Sequence, residues 1–217
     1  DEFQQIGEWA DSLIIQKRMR SVWQHQQHTS YCLFGSKKHL LANLFQNRRM
    51  PFYHFGDTIF LKPISTNDWI PFICGKFAEK GKKISEELVG KICTTVASHS
   101  SYVQQLAWNI MVNTETEVTD EIFQQSISKL LAQCSPLFIQ QIQGLTTYQM
   151  NLIRCLCQGV RKDFTSKDVL ETYQLGSKSN ISRLKKTLVE KEIIEEEGDT
   201  ITLADPIFEL WFKREYM

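Results

Sequence analysis

The sequence predicts a mainly α protein in three parts: a truncated α/β layer, a helical bundle, and a three-helix unit closed by a β-hairpin (α+β). Three observations carry this reading. Two short apolar runs, Tyr31-Cys32-Leu33-Phe34 and Thr58-Ile59-Phe60-Leu61, alternate with helical patterns in the first sixty or so residues. From Thr66 to about Gln143 all the apolar periodicity is helical. After Gly144, three helical stretches lead into two β-rich runs around Glu197-Gly198-Asp199.

Taken in order, Ile6, Trp9, Ala10, Leu13, Ile14 and Trp23 mostly keep the 3–4 spacing of one helix face, which predicts a helix over 8–28. Residues 31–34 read as a buried strand ending in Gly35-Ser36, followed by a helix over 38–46 and a loop at Pro51. Residues 58–61 read as a second strand, stopped by Pro63. Helix, strand, helix, strand is the tail of a parallel α/β layer. Two strands do not make an independent layer, so further strands are expected to precede Asp1, or the edge to be covered another way.

In the middle part, Thr66, Ser85 and Thr119 stand where N-caps are expected. Asp68-Trp69 opens one helix and Gly81 closes it. Leu88, Ile92 and Val96 space the next, and Tyr102, Leu106 and Ile110 the third. A last helix runs through Ile122, Ile127, Leu130, Leu131, Phe138 and Ile142, with an interruption expected near Pro136. In the third part, 145–157 is an amphipathic helix. Thr165-Ser166-Lys167-Asp168 fits a capping box opening a short helix to about Tyr173. A helix over 179–191 turns Ile181, Leu184, Leu188 and Val189 inward, and a final helix carries Phe208, Leu210, Trp211 and Phe212. Three helices plus a hairpin is a winged-helix pattern. The expected boundaries are 1–64, 65–143 and 144–217.

The 217 residues are 42% hydrophobic and 23% charged, an ordinary globular composition. No apolar run approaches the roughly 20 residues of a membrane helix. The chain opens on Asp1 without a signal-peptide pattern, so it is expected to begin at an internal boundary. Lys plus Arg equals Asp plus Glu, 25 each, which gives no global pull toward nucleic acid or membrane. Six cysteines lie in apolar segments, and only Cys155 and Cys157 are close, as C-x-C. Buried free thiols in a cytoplasmic protein are expected rather than zinc or disulfides. His25 and His28 lack a third ligand at suitable spacing and read as exposed.

Asp1-Glu2 is the first candidate for chemistry. An acidic pair at the end of a strand can hold Mg²⁺ with one carboxylate and polarise an attacking water with the other. A polar residue at the end of the next strand, Ser36, can reach the same water; Gly35-Ser36 reads equally as a plain strand-to-helix turn. Five segments in order resemble the archaeal-type ATPase family of the AAA+/STAND group, whose members are P-loop ATPases. They are Asp1-Glu2-Phe3-Gln4, Phe34-Gly35-Ser36-Lys37-Lys38-His39-Leu40-Leu41, Met50-Pro51-Phe52-Tyr53, His99-Ser100-Ser101-Tyr102-Val103-Gln104-Gln105-Leu106 and Asp205-Pro206-Ile207-Phe208-Glu209-Leu210-Trp211-Phe212.

The resemblance implies that Asp1 and Glu2 are Walker B, with Asp1 the Mg²⁺ ligand, and that Ser36 is sensor 1. It implies that His99 and Tyr102 lie in a lid motif facing ATP. Arg48 or Arg49 would act in trans as an arginine finger, in a homo-oligomer. Three departures stand against the pattern: Ser100 follows the lid histidine where proline is frequent, and His54-Phe55 follows Pro-Phe-Tyr where Gly-Arg is. No G-x-x-x-x-G-K-[ST] occurs, so the phosphate-binding loop is missing. ATP and Mg²⁺ are therefore expected in an intact parent whose ATPase core precedes this chain. The chain alone is expected to be inactive, with neither bound. The winged helix offers an alternative as a DNA- or protein-binding module. Lys178, Ser182, Lys185 and Lys186, with Ser179 and Arg183 adjacent, could meet phosphates and base edges. Glu195, Glu196, Glu197 and Asp199 in the wing argue against DNA.

Overall fold

The computed structural model describes residues 2–217, with the side chains of Lys38, His39 and Glu197 set aside. It is mainly helical, and its contacts divide it into two compact units, Asp1–Lys62 and Pro63–Met217.

The first unit holds a 3-10 helix, Phe3–Glu8, then α1 (Ser12–Trp23) and α2 (Lys38–Gln46). Its core is small: Ile6, Leu44 and Phe52 are buried, with Phe3, Trp23, Phe45 and Phe55 packed against them. Phe52 lies 5.5–5.7 Å, ring to ring, from each of those four aromatics. Arg20 fastens α1 to the turn after α2. Its guanidinium donates to the carbonyls of Pro51 and Tyr53, the latter at 2.8 Å, and lies over the Phe55 ring. The helix expected over 8–28 is shorter at both ends. Residues 3–8 take the 3-10 form that seats Ile6, and the polar run after Trp23 has no apolar face to bury.

Neither strand expected in this unit forms. Residues 31–34 and 58–61 carry no regular structure, and the one sheet among the described residues is the hairpin of the second unit. A strand exists only through partners, and these runs have none here. Among the described residues what remains is one backbone bond, Phe3 N–H to Phe34 C=O at 3.0 Å. Tyr31 stacks on Trp23 at 4.2 Å instead, and Ile59 and Leu61 are more than four-fifths exposed.

The second unit begins with α3 (Thr66–Ala78), α4 (Glu86–Thr95), α5 (Ser100–Asn113) and α6 (Asp120–Ile142). Ser85 and Thr119 are N-caps as expected, but α3 is capped by Ser65, whose hydroxyl accepts from Asp68 N–H, rather than by Thr66. Lys83 bridges the two inter-helix loops: its N–H donates to Thr116 C=O at 2.8 Å, and its C=O accepts from Val118 N–H at 3.0 Å. α6 runs unbroken through Pro136, contrary to expectation. Proline costs the helix one backbone bond. Packing offsets that loss: Phe138 is buried against Phe208 and Trp211 at 5.4 Å each, and Trp211 Nε1 donates to Ser135 Oγ at 3.0 Å.

The winged-helix part follows: α7 (Thr147–Cys157), α8 (Lys167–Thr172), α9 (Lys178–Glu190), β1 (Ile194–Glu197), β2 (Thr200–Leu203) and α10 (Pro206–Tyr216). The capping box lies at Thr146 and Gln149, not at Thr165 and Asp168; α8 is capped by Ser166 alone. β1 and β2 pair antiparallel with Glu197 opposite Thr200. That register leaves Gly198 and Asp199 as a two-residue turn, and Gly198 supplies the positive φ of 61° such a turn requires. Ile201 and Leu203 face inward, and Ile201 N–H also bonds Arg161 C=O at 3.0 Å.

One apolar core runs through the whole unit, from Trp69 in α3 to Phe212 in α10. The helical bundle and the winged helix are therefore one packed body. All six cysteines are free. Cys93, Cys155 and Cys157 are buried as expected, but Cys32 is exposed, in the run that did not become a strand. Burial pushes the thiols of Cys155 and Cys157 up to about 12.

Candidate functional site

In the first unit, Glu2 and Ser36 meet although 34 residues separate them. The 3-10 helix begins after Glu2, α2 begins after Lys37, and the Phe3–Phe34 backbone bond holds the two starts together. Ser36 Oγ donates to Glu2 Oε2 at 3.1 Å, and the Gln4 amide donates to the same oxygen. These bonds, Gln4 first and then Ser36, hold the Glu2 carboxyl below the ordinary carboxylate range. Glu2 stands on a left-handed backbone with φ 48°. Such a conformation is uncommon for glutamate and tends to accompany function.

Gly35 makes the arrangement possible. A Cβ there would fall 1.8 Å from Gln4 Oε1, so a side chain would push the amide away from Glu2. Gln4 is itself buried, and among the described residues Oε1 has no hydrogen-bond partner. Gln4 is the residue that sequence reasoning passed over. It stood in the quoted motif, but nothing in a polar residue next to an acidic pair announces that it is buried. Asp1 lies outside the described residues. Arg48 and Arg49 are exposed in the turn after α2. Among the described residues no group of three His, Cys, Asp or Glu could hold a metal ion.

In the second unit, His99 and Tyr102 also meet. His99 is the exposed N-cap residue of α5, and its ring lies 4.8 Å from that of Tyr102 one turn on. Two successive non-glycine residues with positive φ, Ala97 at 48° and Ser98 at 55°, precede it. Tyr102 is half-buried, and its hydroxyl donates to Asp205 Oδ2 at 2.5 Å. Burial and the neighbouring carboxylate push the Tyr102 phenol well above its ordinary value. Asp205 is doubly used: Oδ1 accepts from the backbone N–H of Ile207 and Phe208, capping α10. Asp-Pro before an apolar helix could have announced that cap. The bond to Tyr102, 103 residues away, could not be read from spacing.

On α9, Ser179, Ser182, Arg183 and Lys186 are exposed, opposite the buried Ile181, Leu184 and Leu188. Lys178 is exposed at its start. Lys185 does not join them: it is half-buried, with Nζ over the Phe164 ring at 5.1 Å. Glu190 shares the outer face and lies 3.9 Å from Lys186. The wing's Glu195, Glu196 and Asp199 are exposed.

Residues 136–214 match the family described as "Probable winged helix domain". No curated protein matches the chain. Among solved structures, the chain is similar to a Walker-type ATPase of Pyrococcus abyssi, with a TM-score of 0.73 and 16% sequence identity. The match covers 98% of this chain and 61% of that one, so the chain spans about three fifths of that ATPase. At this identity the likeness is one of fold. The chain is thus mainly helical, similar in fold to part of that Walker-type ATPase, with a winged helix at its C-terminal end.

Proposed function

We propose that this chain is the C-terminal part of an ATP-driven switch of the AAA+/STAND group. The observation that supports it most is the convergence of Glu2 and Ser36, in a chain whose fold resembles a Walker-type ATPase. An ionised carboxylate beside a hydroxyl is suited to orienting a water for attack and to drawing its proton. Gln4 holds that carboxylate in place, and Gly35 leaves Gln4 its room. His99 and Tyr102 are the pair we assign to sensing the nucleotide. Arg48 and Arg49, both exposed in the turn after α2, are the residues we assign to a finger toward a second copy. Bound with Mg²⁺, ATP supplies the phosphoanhydride whose cleavage drives the switch.

The residues present fit one side of such a site. They include no phosphate-cradling glycine loop, whose backbone donors and lysine carry much of nucleotide affinity. The 217-residue chain is therefore expected to show no calorimetric binding of Mg·ATP at submillimolar concentration. Tight Mg²⁺-dependent binding would overturn that. For an intact parent carrying an upstream loop, Glu2→Gln should preserve ATP binding and lower turnover about 100-fold or more. Unchanged turnover would remove Glu2 from catalysis.

The second reading is a winged-helix binding module, favoured by the outward face of α9. Salt-dependent duplex binding lost on Arg183→Ala and Lys186→Ala would support it.

A further inference from the structure

Tyr148 fits neither the ATPase reading nor the core. It sits in the first turn of α7, and nearly half of its side chain is exposed. Two surface hollows adjoin across it, both lined by Tyr148 and Gly176. The first, of about 600 Å³, is edged by Lys167, Glu171 and Lys178. The second is edged by Ser179 and Arg183. Gly176 has φ +81°, and a Cβ there would stand 3.3 Å from the Tyr148 ring, so this turn admits the ring edge closely. Three cations thus edge the exposed Tyr148 ring, and Lys167 lies 3.8 Å from Glu171, the one carboxylate among the lining residues. Glu195, Glu196 and Asp199 stand exposed in the wing, while Asp168 and Glu171 lie on α8 beside Lys167.

We propose that this groove binds single-stranded nucleic acid, with a base stacked on Tyr148 and adjacent phosphates on Lys167, Lys178 and Arg183. An aromatic face accepts a base only when the base is unstacked, which a duplex forbids. A duplex lying along α9 would also bring its phosphates toward the acidic wing, whereas a single strand confined to the groove avoids it. The inference extends the second reading above to a different ligand and a different face, and it requires no nucleotide chemistry.

The test is fluorescence anisotropy of a labelled oligo(dT) of about 12 nucleotides with the full chain at low salt. Binding is expected. Tyr148→Ala should weaken it about 5- to 150-fold, the loss of one stacked base, and Tyr148→Phe should leave it within about twofold. Lys178→Ala and Arg183→Ala should each flatten the salt dependence by about 0.7 in log–log slope. Circular dichroism melts check that each variant is folded; if Tyr148→Ala is not, the salt slopes of Lys178→Ala and Arg183→Ala answer the question, unchanged slopes overturning the proposal. Absence of binding overturns the proposal, as does a Tyr148→Phe variant that loses it. So does a folded Tyr148→Ala that binds as well as the parent chain. A duplex bound more tightly, lost on Lys186→Ala and indifferent to Tyr148→Ala, overturns it while leaving the second reading intact.

Discussion

Asp205 shows how much one side chain can hold. Its two carboxylate oxygens serve different elements, one capping α10 and the other receiving the Tyr102 hydroxyl of α5. Tyr102→Phe removes a bond to a charged acceptor and leaves the cap, so a loss of about 1.5–3 kcal/mol is expected. Asp205→Ala removes the cap as well, worth about 1 kcal/mol, and strands a half-buried phenol, so it should cost more. The double variant should cost less than the sum, because the shared bond is lost only once. The same bond sets an alkaline limit. The Tyr102 pKa is raised in the fold, so its contribution is complete below the ordinary tyrosine value near 10 and is lost as pH rises above it. Denaturant melts between about pH 8 and 11 should therefore show the parent chain losing stability faster than Tyr102→Phe. Parallel pH profiles would mean that the phenol contributes nothing through this bond. The pairing of Glu2 with Ser36 was legible in sequence because each had a motif around it. Gln4 and Asp205 were not, because their work lies in burial and in a contact across 103 residues.

The helices were legible wherever apolar spacing met a polar cap. α2 falls on its expected residues, and Ser85 and Thr119 start the helices that follow them. The strands were not legible in the same way, because residues 31–34 and 58–61 have β composition without β partners. Pro136 misled for the converse reason: the breaker is a local signal, and the packing of Phe138 and Ser135 on α10 overrides it. Helix ends carry a further lesson. α4 closes with Ala97 N–H to Thr94 C=O at 3.2 Å and Ser98 N–H to Cys93 C=O at 2.7 Å, the paired bonds of a Schellman end. α7 closes in the same way on Gly159, with φ 90°, whereas α4 places Ala97 at φ 48°. A left-handed alanine carries a Cβ clash that glycine lacks. Ala97→Gly should therefore raise the unfolding free energy by about 0.5–1 kcal/mol, since relief of the clash exceeds glycine's extra unfolded-state entropy. A chemical-denaturation midpoint that moves down instead would show the turn to be unstrained. Because Ala97 and Ser98 lead straight into His99, the same variant also asks whether that strain belongs to the sensing pair we assign.

At the scale of the molecule, the sequence suggests three parts, and packing makes two compact units. Apolar periodicity reports which face of a helix is buried but not what covers it, so the shared core of α6 and α10 could not be seen from Gly144. Among the described residues the first unit has three buried apolar residues, while the second has one continuous core, against which α8 packs only partly buried Val169 and Leu170. The residues between them, around Ile59 and Leu61, are exposed and lack backbone pairing. Limited proteolysis should therefore cut first within about 56–64 and leave a resistant fragment beginning near Pro63. That fragment should melt in one transition, hairpin included, because no boundary within it separates two cores. Phe138→Ala examines this most sharply. Phe138 belongs to the bundle and is about 1% exposed, yet its ring packs on Phe208 and Trp211 of α10. The substitution should cost about 3–5 kcal/mol and lower the single Tm by about 10 °C. Amide exchange in β1 and β2 should then accelerate together with exchange in α4 and α5. Faster exchange in the bundle with an unchanged hairpin would show that the winged helix keeps a core of its own. It could then turn on the bundle instead of moving with it.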